Sequence, residues 1–108
     1  MAKRLLVTSA GTGPSNNLIR SLRAGHPSVT IIGGHDDPFI LQNSSADRRY
    51  RTPLPGPAWA RALRRIARAE AIDLIIPATD ADTLALSRLR AGLTRYLFLP
   101  RPALIELC

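Results

Sequence analysis

Gly11 and Gly13 stand between a short apolar run and a helical pattern, an arrangement in which a chain can hold an anion. A glycine turn feeding a helix aims free backbone N–H groups and the positive end of the helix dipole at one spot. The loop from Ser9 to Asn16 therefore supplies the first ligand candidates: Ser9, Gly11, Thr12, Gly13 and Asn16. Two comparisons limit this reading. A dinucleotide loop wants a third glycine for close helix packing, and Asn16 stands in that place. A Walker A loop needs a Lys-Ser or Lys-Thr pair after its glycines, and none follows here. A tight strand-to-helix turn that binds nothing accounts for the same residues.

Three carboxylates and one threonine complete the candidate set. Asp36 follows the second apolar run, where nucleotide-binding folds place the acceptor for a ribose hydroxyl. Gly33-Gly34 and Asp37-Pro38 are equally plain turn formers, so a simple turn explains this stretch as well. His35 has no second histidine or cysteine at metal-ligand spacing and reads as a solvated loop residue. Thr79, Asp80 and Asp82 open a helix: Thr79 or Asp80 caps it, and first-turn carboxylates suit its dipole. They also lie at the carboxyl end of a predicted central strand, which makes a role in holding substrate or a neighbouring domain a working hypothesis. The chain shows no nucleophile with base and orienting group, and no metal-ligand spacing, so no catalytic or metal residue is assigned.

The elements that must position these residues alternate along the chain. Leu5, Leu6 and Val7 form an apolar run without polar alternation, as in a strand buried on both faces of a parallel sheet. Leu18, Ile19 and Leu22 then recur at helical spacing, with Pro14 in the first turn and Gly25 as a left-handed stop. Val29 to Ile32 is a second buried strand ending in the Gly33-Gly34 loop. Residues 38–47 are mixed and at most weakly helical. Arg48 to Arg51 reads as a short charged edge strand, with Arg49 and Arg51 on one side and Tyr50 on the other; a clamp for a substrate anion is the other use of these arginines. Thr52 to Pro57 is a stiff proline connector. Ala58 to Ala71 is the clearest helix, with Trp59, Leu63, Ile66 and Ala67 inward and Arg61, Arg64, Arg65 and Arg68 elsewhere on its circumference. That arginine face is the wet side of a surface helix or a grip for an acidic partner. Ile72 to Ile76 is a further strand, a helix runs from Asp80 to about Arg90, and Arg95 to Leu99 is a last strand.

At 108 residues with a net charge of +7, the chain has room for one domain and one core. Fourteen of the fifteen basic residues are arginine, set among alanine, leucine and proline with few aromatics, so the charge argues only weakly for nucleic acid. No apolar run approaches the length that crosses a bilayer, and the N-terminus has no signal-like apolar core. Together with a single cysteine, Cys108, this points to a cytoplasmic protein. Ala103, Leu104, Ile105 and Leu107 look like the opening of a helix whose later turns are missing, which predicts a longer chain and, through exposed apolar surface, self-association such as a homodimer.

Strands and helices at this rhythm predict an α/β, three-layer Rossmann-like fold. Its mostly parallel sheet has about five strands, with helices on both faces and ligand-facing loops at the carboxyl ends. LLVTSAGTGPSNNLIRSLR, IIGGHDDPF, ADRRYRTP, IDLIIPATDAD and LFLPRPALIELC, in that order, resemble the N-terminal pre-ATP-grasp domain of ATP-grasp ligases. The likeness is to those related to the carbamoyl-phosphate synthase large chain. The resemblance implies a ligase that uses ATP and magnesium to phosphorylate a carboxylate and joins the acyl phosphate to an amine or similar nucleophile. ATP and magnesium would be held by downstream ATP-grasp domains, in the same chain or a separate subunit, so residues 1–108 bind no cofactor and turn nothing over alone. This domain would pack against the others and lend Ser9 to Asn16, the turn at Asp36 and Pro77 to Asp82 to the substrate side. A second expectation, from the residues alone, is a free-standing Rossmann-like module binding a nucleotide or phosphorylated metabolite through the Gly11 to Asn16 loop and Asp36. A third is a basic interaction module working through the helix arginines.

Overall fold

The computed structural model describes residues 3–89 together with Leu93 and Tyr96. Eight elements follow in strict alternation: β1 (Arg4–Val7), α1 (Gly13–Gly25), β2 (Thr30–His35), α2 (Pro38–Leu41), β3 (Arg48–Arg51), α3 (Pro57–Ala69), β4 (Leu74–Ile76) and α4 (Asp80–Arg88). The strands form one sheet in the order β3-β2-β1-β4, and every neighbouring pair is parallel. Leu6 is opposite Ile32 on one side and Ile75 on the other, so the three apolar runs meet in register at the centre of the sheet.

Successive strand residues point to opposite faces, and the two faces have separate cores. Leu5, Val7 and Ile31 pack with Ile19 of α1. Leu6, Ile32 and Ile75 pack with Trp59, Leu63 and Ile66 of α3 and Leu86 of α4. The result is the expected three-layer α/β Rossmann-like arrangement, with helices on both faces of the sheet. Four strands are present among the described residues, not five. Of the predicted strand at 95–99 only Tyr96 is described; it is buried in the α3 core, in a turn closed by its N–H on the carbonyl of Leu93. The predicted final helix lies outside the described residues.

Two local expectations are corrected. Gly25 is the last residue of α1 and does not make a left-handed stop. The helix ends at His26, whose N–H reaches Leu22 O at 2.8 Å, because Pro27 forces the residue before it out of the helical region. Gly33 and Gly34 are strand, not turn: β2 runs through both, paired with Arg49 and Tyr50 of β3. Glycine is needed there for space, since a Cβ on Gly33 would lie 2.7 Å from the Ala10 Cβ. The weakly helical stretch contains one defined turn of helix, α2, capped by Asp37 with its carboxylate accepting from the N–H groups of Phe39 and Ile40.

Candidate functional site

All four strands end on the same side, and the chain reverses direction in the sheet between β1 and β4, where parallel α/β folds place their ligands. Asp82 stands at that point. It is buried, at 6% exposure, in the first turn of α4. Its Oδ2 accepts a hydrogen bond from the Thr8 hydroxyl at 2.7 Å and another from the Ser9 hydroxyl. Thr8 in turn accepts from the N–H of Ala78 at 3.2 Å, so one carboxylate joins the loop after β1 to the loop after β4. Neither of these bonds reaches Oδ1. Among the described residues no basic side chain forms an ion pair with Asp82. Two hydroxyl donors and the positive end of α4 supply the stabilisation that a cation would otherwise give.

Ser9 reaches Asp82 with a left-handed backbone, φ 51°, which an L-residue adopts at a cost of roughly 1 kcal/mol or more. Ser9 and Asp82 border a small pocket with Gly34, His35, Asp36 and Trp59. Its volume of about 20 Å³ suits a single water-sized polar group. His35 Nδ1 accepts the N–H of Asp37 at 2.8 Å, which leaves any ring proton on Nε2. The 3.4 Å approach of the same nitrogen to Asp36 Oδ1 is thus a close approach between two acceptors. The indole of Trp59 is both a core side chain and the wall of the pocket, at 4% exposure.

Ser9, Asp36 and Asp82, three of the sequence candidates, therefore come together. The remaining candidates serve the loop itself. Gly11, at φ +97°, lies so close to α2 that a Cβ would sit 1.8 Å from the Ile40 carbonyl oxygen. Thr12 caps α1: its Oγ1 accepts from Ser15 N at 3.3 Å, and its carbonyl accepts Asn16 N at 3.0 Å. Pro14 has no N–H to offer. The donors an anion would use at this helix end are largely occupied. Gly13 is the exposed first residue of α1. Asn16 ties the helix to the chain before β3, donating to Asn43 O at 3.1 Å and accepting from Ser45 N at 3.2 Å. Thr79 is the cap of α4, with Oγ1 accepting Asp82 N at 3.1 Å, while Asp80 is exposed in the first turn and does not border the pocket.

Thr8 escapes sequence reading because a hydroxyl at the end of an apolar strand carries no motif. Only the adjacency of β1 and β4 shows its use. Among the described residues no group of three or more histidine, cysteine, aspartate or glutamate side chains converges to hold a metal ion. No described helix is long and apolar enough to cross a membrane.

No protein-family model matches the chain, and no curated protein matches it. Among solved structures it is similar to dTDP-glucose 4,6-dehydratase from Bacillus anthracis in complex with NAD, with a TM-score of 0.59 and 14% identity. The match covers 87% of this chain and 35% of that one, so the chain spans about a third of the dehydratase. At that identity the likeness speaks for the Rossmann-like fold.

Proposed function

We propose that this chain is the substrate-side domain of an ATP-grasp ligase, in which ATP and magnesium held by downstream domains convert a carboxylate to an acyl phosphate. The observation that carries the reading is Asp82, a buried carboxylate fixed by Thr8 and Ser9 through one oxygen and bordering a polar pocket at the sheet's carboxyl edge. Such a group accepts a hydrogen bond from a small donor, and an amine or similar nucleophile is a donor of that kind. In this reading Asp82 orients the nucleophile, Ser9 and Thr8 hold Asp82, and Trp59 excludes water from one wall. Phe39 and Leu54, 76% and 69% exposed, follow β2 and β3 at the same edge and supply apolar surface for a neighbouring domain to cover.

A free-standing nucleotide module is the second reading, favoured by the likeness in fold to an NAD-bound chain. Three features weigh against it: the capped start of α1, the packing of Gly11 on Ile40, and a pocket with two carboxylates and no lysine or arginine on its walls.

One experiment separates the two. In the polypeptide or complex that carries this domain with its ATP-grasp domains, Asp82→Asn should raise KM for the nucleophile about tenfold or more and leave KM for ATP unchanged, as expected for one lost charge-assisted contact. An equal rise in both, or nucleotide-induced thermal stabilisation of the 108-residue chain that Asp36→Asn removes, would favour the nucleotide module instead.

A further inference from the structure

The outer face of α3 has no part in the carboxyl-edge site, and its charge is uncompensated. Arg61, Arg64, Arg65 and Arg68 alone line one surface hollow of about 270 Å³. Among the described residues no side chain of these four makes an ion pair or hydrogen bond, whereas Arg4, Arg23 and Arg48 all pair with carboxylates. Beside this ridge runs a groove of about 280 Å³ between α3 and α4, lined by Pro57, Ala60, Arg61, Arg64, Arg88 and Leu89. Cations and apolar surface are thus presented together.

We propose that the arginine ridge of α3 and the groove it shares with α4 form a docking site for an acidic amphipathic helix of a protein partner. Arg61, Arg65 and Arg68 follow the i, i+4, i+7 spacing of one helix stripe, so their guanidinium groups recur at a pitch that carboxylates on a second helix can match. Guanidinium forks pair carboxylates in bidentate fashion. The exposed alanines Ala58 and Ala69 leave room for a second backbone to approach α3. Phosphate would satisfy the arginines equally well, but a nucleic-acid backbone has no apolar side chain to fill the groove beside them. The face also offers no hydroxyl, amide or exposed aromatic group to a base, since α3 carries only Trp59 of that kind and buries it. An amphipathic acidic helix satisfies both halves of the surface, with carboxylates on the ridge and apolar side chains in the groove.

The test uses the 108-residue chain and a fluorescent synthetic helical peptide with glutamates at i, i+4 and i+7 and leucines on the adjoining stripe, followed by anisotropy at physiological salt. Arg61→Gln/Arg65→Gln should weaken binding about tenfold, the sum of two exposed but bidentate pairs. Lys3→Gln/Arg20→Gln removes the same two charges from exposed positions elsewhere and should change it by less than about twofold, since distant charges are screened. Replacing the peptide's leucines by serine should weaken binding as well. Equal weakening by both double variants would overturn the proposal, as would indifference to the leucines, absence of binding, or tighter capture of duplex DNA than of the peptide. All four substitutions are at partly or fully exposed positions, and matched thermal melts confirm that each variant is folded before its affinity is compared.

Discussion

Glu70 and Asp82 are both buried carboxylates at helix ends, and they sit at opposite edges of the sheet with opposite solutions to the same problem. Glu70 lies at the carboxyl end of α3, where the helix dipole repels negative charge. It is held by Arg4 at 2.7 Å, Arg48 at 2.8 Å and the Tyr50 hydroxyl. Those partners come from β1 and β3, so Glu70 fastens a helix to two strands. The Tyr50 hydrogen bond, followed by that of Arg48, holds its carboxyl below the ordinary value of 4.5. The same bond raises Tyr50 above its ordinary 10.0. Asp82, at the amino end of α4, has the dipole in its favour and is held by two hydroxyls alone. A carboxylate surrounded by arginines is a fastening; one left without a cation beside a pocket is available to a ligand. The ionic fastening thus lies at the amino edge, and the carboxylate held without a cation lies beside a pocket at the carboxyl edge.

The largest expected effect tests whether the carboxyl edge is rigid. Gly11→Ala puts a methyl group into the Ile40 carbonyl in a backbone conformation hostile to side chains. It should cost about 3 kcal/mol or more, read from urea unfolding. A variant as stable as the parent would show that α2 does not clamp the loop, and the division between the two edges would lose half its basis.

Next in size, Glu70→Gln should destabilise by about 2 kcal/mol at neutral pH, because a buried charge network loses its anion. A carboxyl depressed in the folded state stabilises fully above 4.5 and loses that contribution as pH falls through its folded value. The parent should therefore lose stability in acid more steeply than Glu70→Gln, and parallel pH profiles would remove Glu70 as the fastening group.

Smallest is Asp82→Asn, expected within about 1 kcal/mol of the parent, since no ion pair is lost and both hydroxyls can donate to the amide oxygen. Should it prove as costly as Glu70→Gln, Asp82 would belong with the structural carboxylates and the contrast would fail.

Much of the architecture was legible along the chain. The runs at Leu5 to Val7, Ile31 to Ile32 and Leu74 to Ile76 carry the unbroken apolar character of buried parallel strands, and the stripe of α3 separates Trp59, Leu63 and Ile66 from the arginines. The glycines misled for a physical reason: Gly33 and Gly34 resemble a turn by composition, but Ala10 leaves no room for a Cβ at Gly33 and Thr52 packs tightly on Gly34, and crowding between distant segments leaves no local trace. The Gly11 to Asn16 loop likewise resembles an anion cradle until α2 closes on Gly11 and Asn16 binds the chain near Ser45. Asp36 and Asp82 could be singled out by their positions after strands. Glu70 could not, since nothing near it in sequence announces Arg4, Arg48 and Tyr50.

Periodicity and apolar runs depend on neighbours a few residues away, so the sequence alone determined the alternation of strands and helices from β1 to α4 and the buried stripe of α3, though not the full extent of β2. Pairing across tens of residues depends on the strand order β3-β2-β1-β4, and only that order brought Thr8 and Ser9 onto Asp82 and set Arg4 and Arg48 around Glu70. The identity of the carboxylates was written in the chain, but which one would be neutralised and which left open was decided by the partners that folding delivered to each.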